Sequence, residues 1–275
     1  MANCIRDENC GSCDFSEDCL VQRMMYPKME IRPDFMTTKD SEGFVIECED
    51  TREWFESGDE LKFTLLLIGR TIVYFNQFLQ VFYYLGMQGI GKEHVQFQIA
   101  KVTNTLGEPL LEGTSIYKER FEIMNAADYV VYRMQSGEIR RVINANRCRL
   151  IFQSPLTLKH RGEMQTHVEM EAILAAIRRR IYILNCFEGK NGSNPRENAL
   201  EYDNLTVIVS GKSWPEKVMR YSGTQNSKVA FRGIRGWCDL EGLDESVIKL
   251  LLAGELLHIG KNTSFGFGRY TLVER

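Results

Sequence analysis

Near the C-terminus, the stretch GELLHIGKNTSFGFGRYTLVER, residues 254–275, gathers glycines, a His, a Lys and several hydroxyl and amide side chains into a few positions. Such a set suits phosphate. Lys261 offers a point charge, and Asn262, Thr263 and Ser264 can each donate hydrogen bonds to phosphate oxygens. Gly260, Gly266 and Gly268 permit a close backbone approach to a phosphodiester chain, or simply form a turn before a last strand. His258 lies at the mouth of this loop. It suits acid/base work or a phosphate contact at neutral pH, or else it is a helix C-terminal histidine answering the helix dipole. Phe265 and Phe267 flank Gly266 and either stack on bases or pack inward as core.

The stretch is not a P-loop. That motif needs four residues between its two glycines and a Ser or Thr directly after its Lys. Here Gly254 and Gly260 have five between them, and Asn262 follows Lys261. A P-loop also runs strand, loop, helix, so that a helix N-terminus meets the phosphates. Residues 244–258 begin with acids and space Val247, Ile248, Leu251, Leu252 and Leu256 as a helix does. Residues 269–273 have the pattern of a strand, so the order is helix, glycine loop, strand.

Other basic groups lie upstream. Lys159, His160 and Arg161 form a basic turn after a Pro-interrupted strand, and Arg232 and Arg235 sit in the glycine-punctuated FRGIRGW. Phosphate attraction is the contact such residues make most readily. Arg178, Arg179 and Arg180 run along a helix and cannot all face one way. His94 and His167 begin a strand and a helix. At the other end, Cys4, Cys10, Cys13 and Cys19 have the spacing C-x5-C-x2-C-x5-C. Four thiolates could hold zinc or an iron–sulfur cluster; the alternative is free thiols near the terminus. Cys48, Cys148, Cys186 and Cys238 sit in apolar patterns and are expected to be buried.

Two similar series of elements must position these residues. In the first half, residues 43–50 and 59–69 are expected strands, 70–89 a helix, and 94–103 a further strand. A stub of helix is expected near 14–26. In the second half the order is strand (147–159), helix (167–187), two strands, helix, strand, which is a ferredoxin-like unit. The expected fold is therefore α+β, with tandem ferredoxin-like domains of which the first is incomplete. The boundaries are 1–26 for a cysteine-containing segment, 27–104 for the incomplete domain, 105–146 for a connection with a hairpin at Ser136-Gly137, and 147–275 for the complete domain.

Composition narrows the class. Hydrophobic content of 44% and charged content of 26% fit a globular chain and exclude a disordered one. No stretch reaches the roughly 20 apolar residues of a membrane span, and MANCIRDENC lacks the apolar centre of a signal peptide. A cytoplasmic protein with reduced thiols is expected. Net charge is −3, yet residues 1–130 hold 12 basic and 22 acidic residues, whereas 131–275 hold 22 and 15. That split points to a polyanion partner for the second half, or to two solvated faces of opposite sign.

The ending LLHIGKNTSFGFGRYTLV resembles the C-terminal signature of the CRISPR-associated endoribonucleases of the RAMP superfamily that process precursor CRISPR RNA. LIFQSPLTLKHRGE with the helix containing IRRRIYIL, LKFTLLLIGRTIVYFNQFLQVFYYLGMQGIG, and CGSCDFSEDC are similar to further segments of that family. The resemblance runs in order over nearly the whole chain. It implies antiviral RNA processing: metal-independent cleavage of repeat RNA by 2′-OH attack, leaving a 2′,3′-cyclic phosphate, with no cofactor required. His258 and Lys261 are then the expected catalytic groups. Gly260, Asn262, Thr263, Ser264, Phe265, Gly266, Gly268, Lys159, His160, Arg161, Arg232 and Arg235 are the expected RNA contacts. The implied partners are CRISPR repeat RNA and a CRISPR effector complex. A non-catalytic RNA-binding subunit and a cysteine-cluster metalloprotein are the alternatives. Members usually carry several dozen residues before the cysteine segment, often with catalytic histidines, so an N-terminally truncated or naturally short form is expected.

Overall fold

The computed structural model describes residues 13–14, 17–25, 29, 31–33, 35–36, 43–52, 54–91, 93–190, 207–222 and 227–275. In chain order its elements are α1 (Leu20–Met25), β1 (Phe44–Glu47), β2 (Thr64–Leu67), α2 (Phe75–Gln88), β3 (Leu111–Glu112), β4 (Ser115–Ile116), α3 (Ala126–Gln135) and α4 (Gly137–Ala145). There follow β5 (Arg147–Leu156), β6 (Lys159–His160), β7 (Glu163–Met164), α5 (Met170–Phe187), β8 (Val207–Ser222), β9 (Ser227–Glu241), α6 (Glu245–Leu257) and β10 (Tyr270–Val273). The chain divides into two compact units, residues 1–25 with 70–125, and residues 26–69 with 126–275.

The first unit is built around α2. Phe78 is the buried side chain of that helix, and Phe75 meets Phe121 edge-on at 4.7 Å. The alternating stretch 94–103 is not a strand, contrary to expectation. It runs extended past the helix, with Phe97 N–H donating to the Gly86 carbonyl at 3.1 Å. Only isolated bridges, Ile90 with Val95 and Thr103 with Pro109, pair its ends. Alternation needs a neighbouring strand before it becomes a ladder.

In the second unit, β5, α5, β8, β9, α6 and β10 follow one another as strand, helix, strand, strand, helix, strand. The sheet order is β10-β5-β9-β8, with every neighbouring pair antiparallel. This is a complete ferredoxin-like domain, as expected, and the protein is of the α+β class. Cys148, Leu150 and Phe152 alternate inward from β5, and Cys238 and Leu240 do so from β9. They meet Ala172, Ile173 and Ile177 of α5 and Val247, Ile248, Leu251 and Leu252 of α6. Each fully buried Leu or Ile stabilises by about 1.5–3 kcal/mol. Asp244 caps α6, accepting from Val247 N–H at 2.8 Å. Of the first ferredoxin-like series, β1 and β2 form an antiparallel pair, with Val45 opposite Leu66. That hairpin groups with the C-terminal domain.

The hairpin expected at Ser136-Gly137 is a helix junction instead. Ser136 Oγ accepts from Ile139 N–H at 3.3 Å, so it caps α4 where a turn was expected. The hairpin within 105–146 is the small β3–β4 pair. At the N-terminus, only the six-residue α1 stands where a helix stub was expected. No helix among the described residues is long and apolar enough to cross a membrane.

Glu255 joins three elements. Its Oε1 accepts from the Tyr129 hydroxyl at 2.7 Å and from Arg133, both on α3, and its Oε2 accepts from Leu272 N–H of β10 at 2.8 Å. Removing a carboxylate that is 9% exposed strands all three donors. Glu255→Ala should lower unfolding free energy by about 3–5 kcal/mol, read as a shifted urea midpoint at unchanged slope.

Candidate RNA-binding site

The glycine loop between α6 and β10 folds onto its own backbone. Ile259 N–H donates to the Gly268 carbonyl at 3.0 Å, and Gly268 N–H donates to Pro155 at 3.0 Å. Lys261 N–H donates to Thr157 at 2.9 Å, and Gly266 N–H donates to Thr263 at 2.8 Å. These amides hold the loop, so the loop is not an open cradle of N–H groups. Gly268, at φ 77°, shows why side chains are missing here: a Cβ would lie 1.8 Å from the Ile259 carbonyl oxygen. Gly260 closes likewise on Thr157, and Gly266 on Ile46 of β1, each oxygen 2.4 Å from where a Cβ would sit.

His258 is inside this closure. Its side chain is 1% exposed, with Nδ1 3.0 Å from the Phe267 carbonyl and Nε2 2.8 Å from Glu47 Oε1 on β1. This corrects the expectation of a histidine at the loop's mouth. A ring with both nitrogens engaged by protein acceptors does not meet a scissile phosphate as the loop stands. Burial pushes the Glu47 carboxyl up, but the His258 hydrogen bond, with the nearby charges of His258 and Arg269, outweighs burial and holds it below its ordinary value. Arg269 Nη1 lies 3.7 Å from Glu47 and 2.6 Å from Glu49.

The loop's outer side is different. Gly260 and Lys261 are exposed, and Asn262 and Ser264 are half-buried. Thr263 is buried at 6%, so its hydroxyl is not presented. Phe265 is 50% exposed, whereas Phe267 is buried at 5% and takes the core role that sequence left open. Both meet Phe231 of β9, at 5.3 and 5.6 Å between centroids. Arg220 of β8 stands over Phe231 at 4.9 Å and over Phe265 at 4.7 Å. Sequence reading missed Arg220 and Phe231, whose only signal was a basic residue and an aromatic on adjacent expected strands.

Thr157 connects the rest. Its hydroxyl donates to the Arg232 carbonyl at 2.7 Å while its own carbonyl holds Lys261 N–H. The loop, the end of β5 and β9 near Arg232 are thereby contiguous. Beyond the pairing of Leu156 with Ile234, β8 and β9 continue as a two-stranded arm. Residues 211–235 carry six basic residues and one acid, Glu216. Arg232 is exposed, and Arg235 lies 3.7 Å from Glu216 on the opposite face of β9. Lys159 is exposed on β6. Arg161 at the β6–β7 turn is held by both Glu171 oxygens, at 3.0 and 2.9 Å, which lessens its availability to phosphate. His160 Nε2 lies 3.5 Å from Glu171. On α5 the arginine run splits as expected: Arg179 is exposed over Phe35 at 3.8 Å, and Arg180 is buried, donating to the Leu257 carbonyl at 3.1 Å.

Cys4 and Cys10 lie outside the described residues, and Cys13 and Cys19 are free thiols. Among the described residues no group of three or more His, Cys, Asp or Glu is placed to hold a metal. Cys148, Cys186 and Cys238 are buried as expected, but Cys48 is exposed.

Sheet order and the basic hairpin define the second unit as a ferredoxin-like domain closed by a glycine loop. Residues 150–270 match the family of the CRISPR-associated endoribonuclease Cas6, and residues 1–128 match a family described as an N-terminal domain. The match falls on the C-terminal part of the chain, where the glycine-loop resemblance pointed. No curated protein matches the chain. Among solved structures, a partial Cas6-RT-Cas1–Cas2 complex aligns at 12% identity and TM-score 0.56, over 85% of this chain and 39% of that one. A Cas6-RT-Cas1–Cas2 complex aligns at the same identity and score, over 85% and 24%. A Cas6 product complex aligns at 14% identity and TM-score 0.49, over 84% and 81%. At such identities the likeness shows the fold alone. The chain spans less than half the length of the first two chains.

Because the folded Glu47 carboxyl is held below its unfolded value, its contribution is present above about pH 4.5 and is lost as pH falls through the depressed folded value. The stability difference between the wild type and Glu47→Gln should therefore narrow on acidification, measured by urea denaturation across that range.

Proposed function

We propose that the chain binds CRISPR repeat RNA and acts on it as an endoribonuclease, through metal-independent attack of a ribose 2′-OH on the adjacent phosphate. The observation that carries the RNA-binding half is the Arg220–Phe231–Phe265 cluster beside Lys261, set at the base of a basic two-stranded arm. An exposed phenyl ring that shares one guanidinium with its neighbour is a cation-flanked platform for an unstacked base. Lys261 and Arg232 supply charge for the backbone on either side. The family match over residues 150–270 supports the processing half. In this reading Lys261 steadies negative charge on the phosphorane.

Burial of His258 favours a second reading, a subunit that binds repeat RNA without cutting it. Incubating the chain with repeat RNA in EDTA decides between them. A cyclic-phosphate product supports the nuclease; binding without product supports the subunit; no binding overturns both.

Phe265→Ala should weaken RNA binding by about 1–3 kcal/mol, the worth of one stacked base. Lys261→Ala should weaken binding of every RNA sequence alike and reduce the salt slope by about 0.7. Fluorescence titrations at several salt concentrations measure both.

A further inference from the structure

Glu47 and His258 have a consequence that depends on where one proton sits. The Phe267 carbonyl can only accept, so His258 Nδ1 carries a hydrogen. An ionised carboxylate can also only accept, so at 2.8 Å from Glu47 Oε1 the other nitrogen must carry one too, unless Glu47 itself is protonated. Either way the contact holds a single shared proton. Without it, two acceptors face each other in a site that is 1% exposed on the histidine side, and an unpaired polar contact is costly there.

The contact also stands at a junction. His258, at φ 57°, is the residue where α6 turns into the loop. Glu47 ends β1, whose Ile46 carbonyl lies directly against Gly266. The contact thus ties β1 to the loop that carries Lys261 and Phe265. Among the described residues, few other charged groups surround it. Arg269, ahead of β10, approaches Glu47 and is shared with Glu49. Arg180, from α5, reaches the Leu257 carbonyl at the end of α6. Thr157 and Thr263, from the end of β5 and the loop's short turn, bring no charge.

We propose that Glu47 and His258 are a positioning pair for the RNA site: the proton they share seats the glycine loop on β1, and its loss at alkaline pH loosens the loop and weakens RNA binding. This rests on the RNA-binding reading above, and it makes His258 a residue that acts through the loop, without touching RNA.

Glu47→Gln is the discriminating change. Its amide can donate to a bare Nε2 while Nδ1 still donates to Phe267, so the contact survives without a titrating proton. Glu47→Ala removes the contact. For the intact chain and both variants, repeat-RNA affinity and hydrogen exchange of the loop amides, corrected for intrinsic rates, would be followed from about pH 6 to about pH 9.

In the wild type, protection at Lys261 and Gly268 and RNA affinity should fall together at the alkaline end, approaching ten-fold per pH unit for a one-proton linkage. Glu47→Gln should flatten both profiles, and Glu47→Ala should be weak and unprotected throughout. Parallel wild-type and Glu47→Gln profiles overturn the proposal, as does full loop protection in Glu47→Ala. If no variant binds RNA at any pH, the RNA reading fails, and the exchange profiles still decide the pair's role.

Discussion

The candidate RNA-binding surface depends on how tightly the glycine loop closes upon itself. Carbonyl oxygens of Ile259, Thr157 and Ile46 occupy the spaces where side chains of residues 268, 260 and 266 would begin. In a loop packed this closely, His258 is turned inward. Everything on its outer side then follows. Lys261 faces solvent because its own N–H is tied to Thr157, and Phe265 is exposed because Phe267 takes the buried place against Phe231.

That closure needs a rigid base, which the ferredoxin-like domain supplies. β5 is paired on both sides and presents Pro155 and Thr157 at its end as fixed acceptors for the loop. On the far side of the sheet's pairing, β8 and β9 outrun their neighbours. Their excess of basic residues would be self-repelling in a packed layer and is tolerable in a solvated arm. The same construction therefore yields both a fixed loop and a charged extension beside it.

The charge split seen along the sequence maps onto the structure only in part. The connection between β1 and β2, residues 48–63, carries six acidic and two basic residues, and it belongs to the unit that holds the basic arm. β1 is brought there by Glu47 and by the approach of Ile46 to Gly266. Acidic and basic segments share one unit because a few contacts of β1 outweigh its place in the chain. A polyanion approaching the arm would meet a field shaped by both.

Local chemistry made much of this legible in advance. The apolar spacing of α5 and α6, the acidic start of α6, the alternation of β5 and the turn chemistry of the glycines are short-range constraints, and residues a few positions apart determine them. From these, the order of elements in the second domain, the rejection of a P-loop and the resemblance carried by the last loop were all readable. What sequence could not decide was which partner each group would find. The alternation of residues 94–103 found no strand to pair with, and Ser136 found a helix N-terminus in place of a turn. His258 found Glu47, 211 positions away. Spacing marked that histidine as a phosphate-facing candidate because it stood beside Lys261. Only the tertiary structure, by packing β1 against the loop, turned its ring inward and left Phe265 and Arg220 facing out.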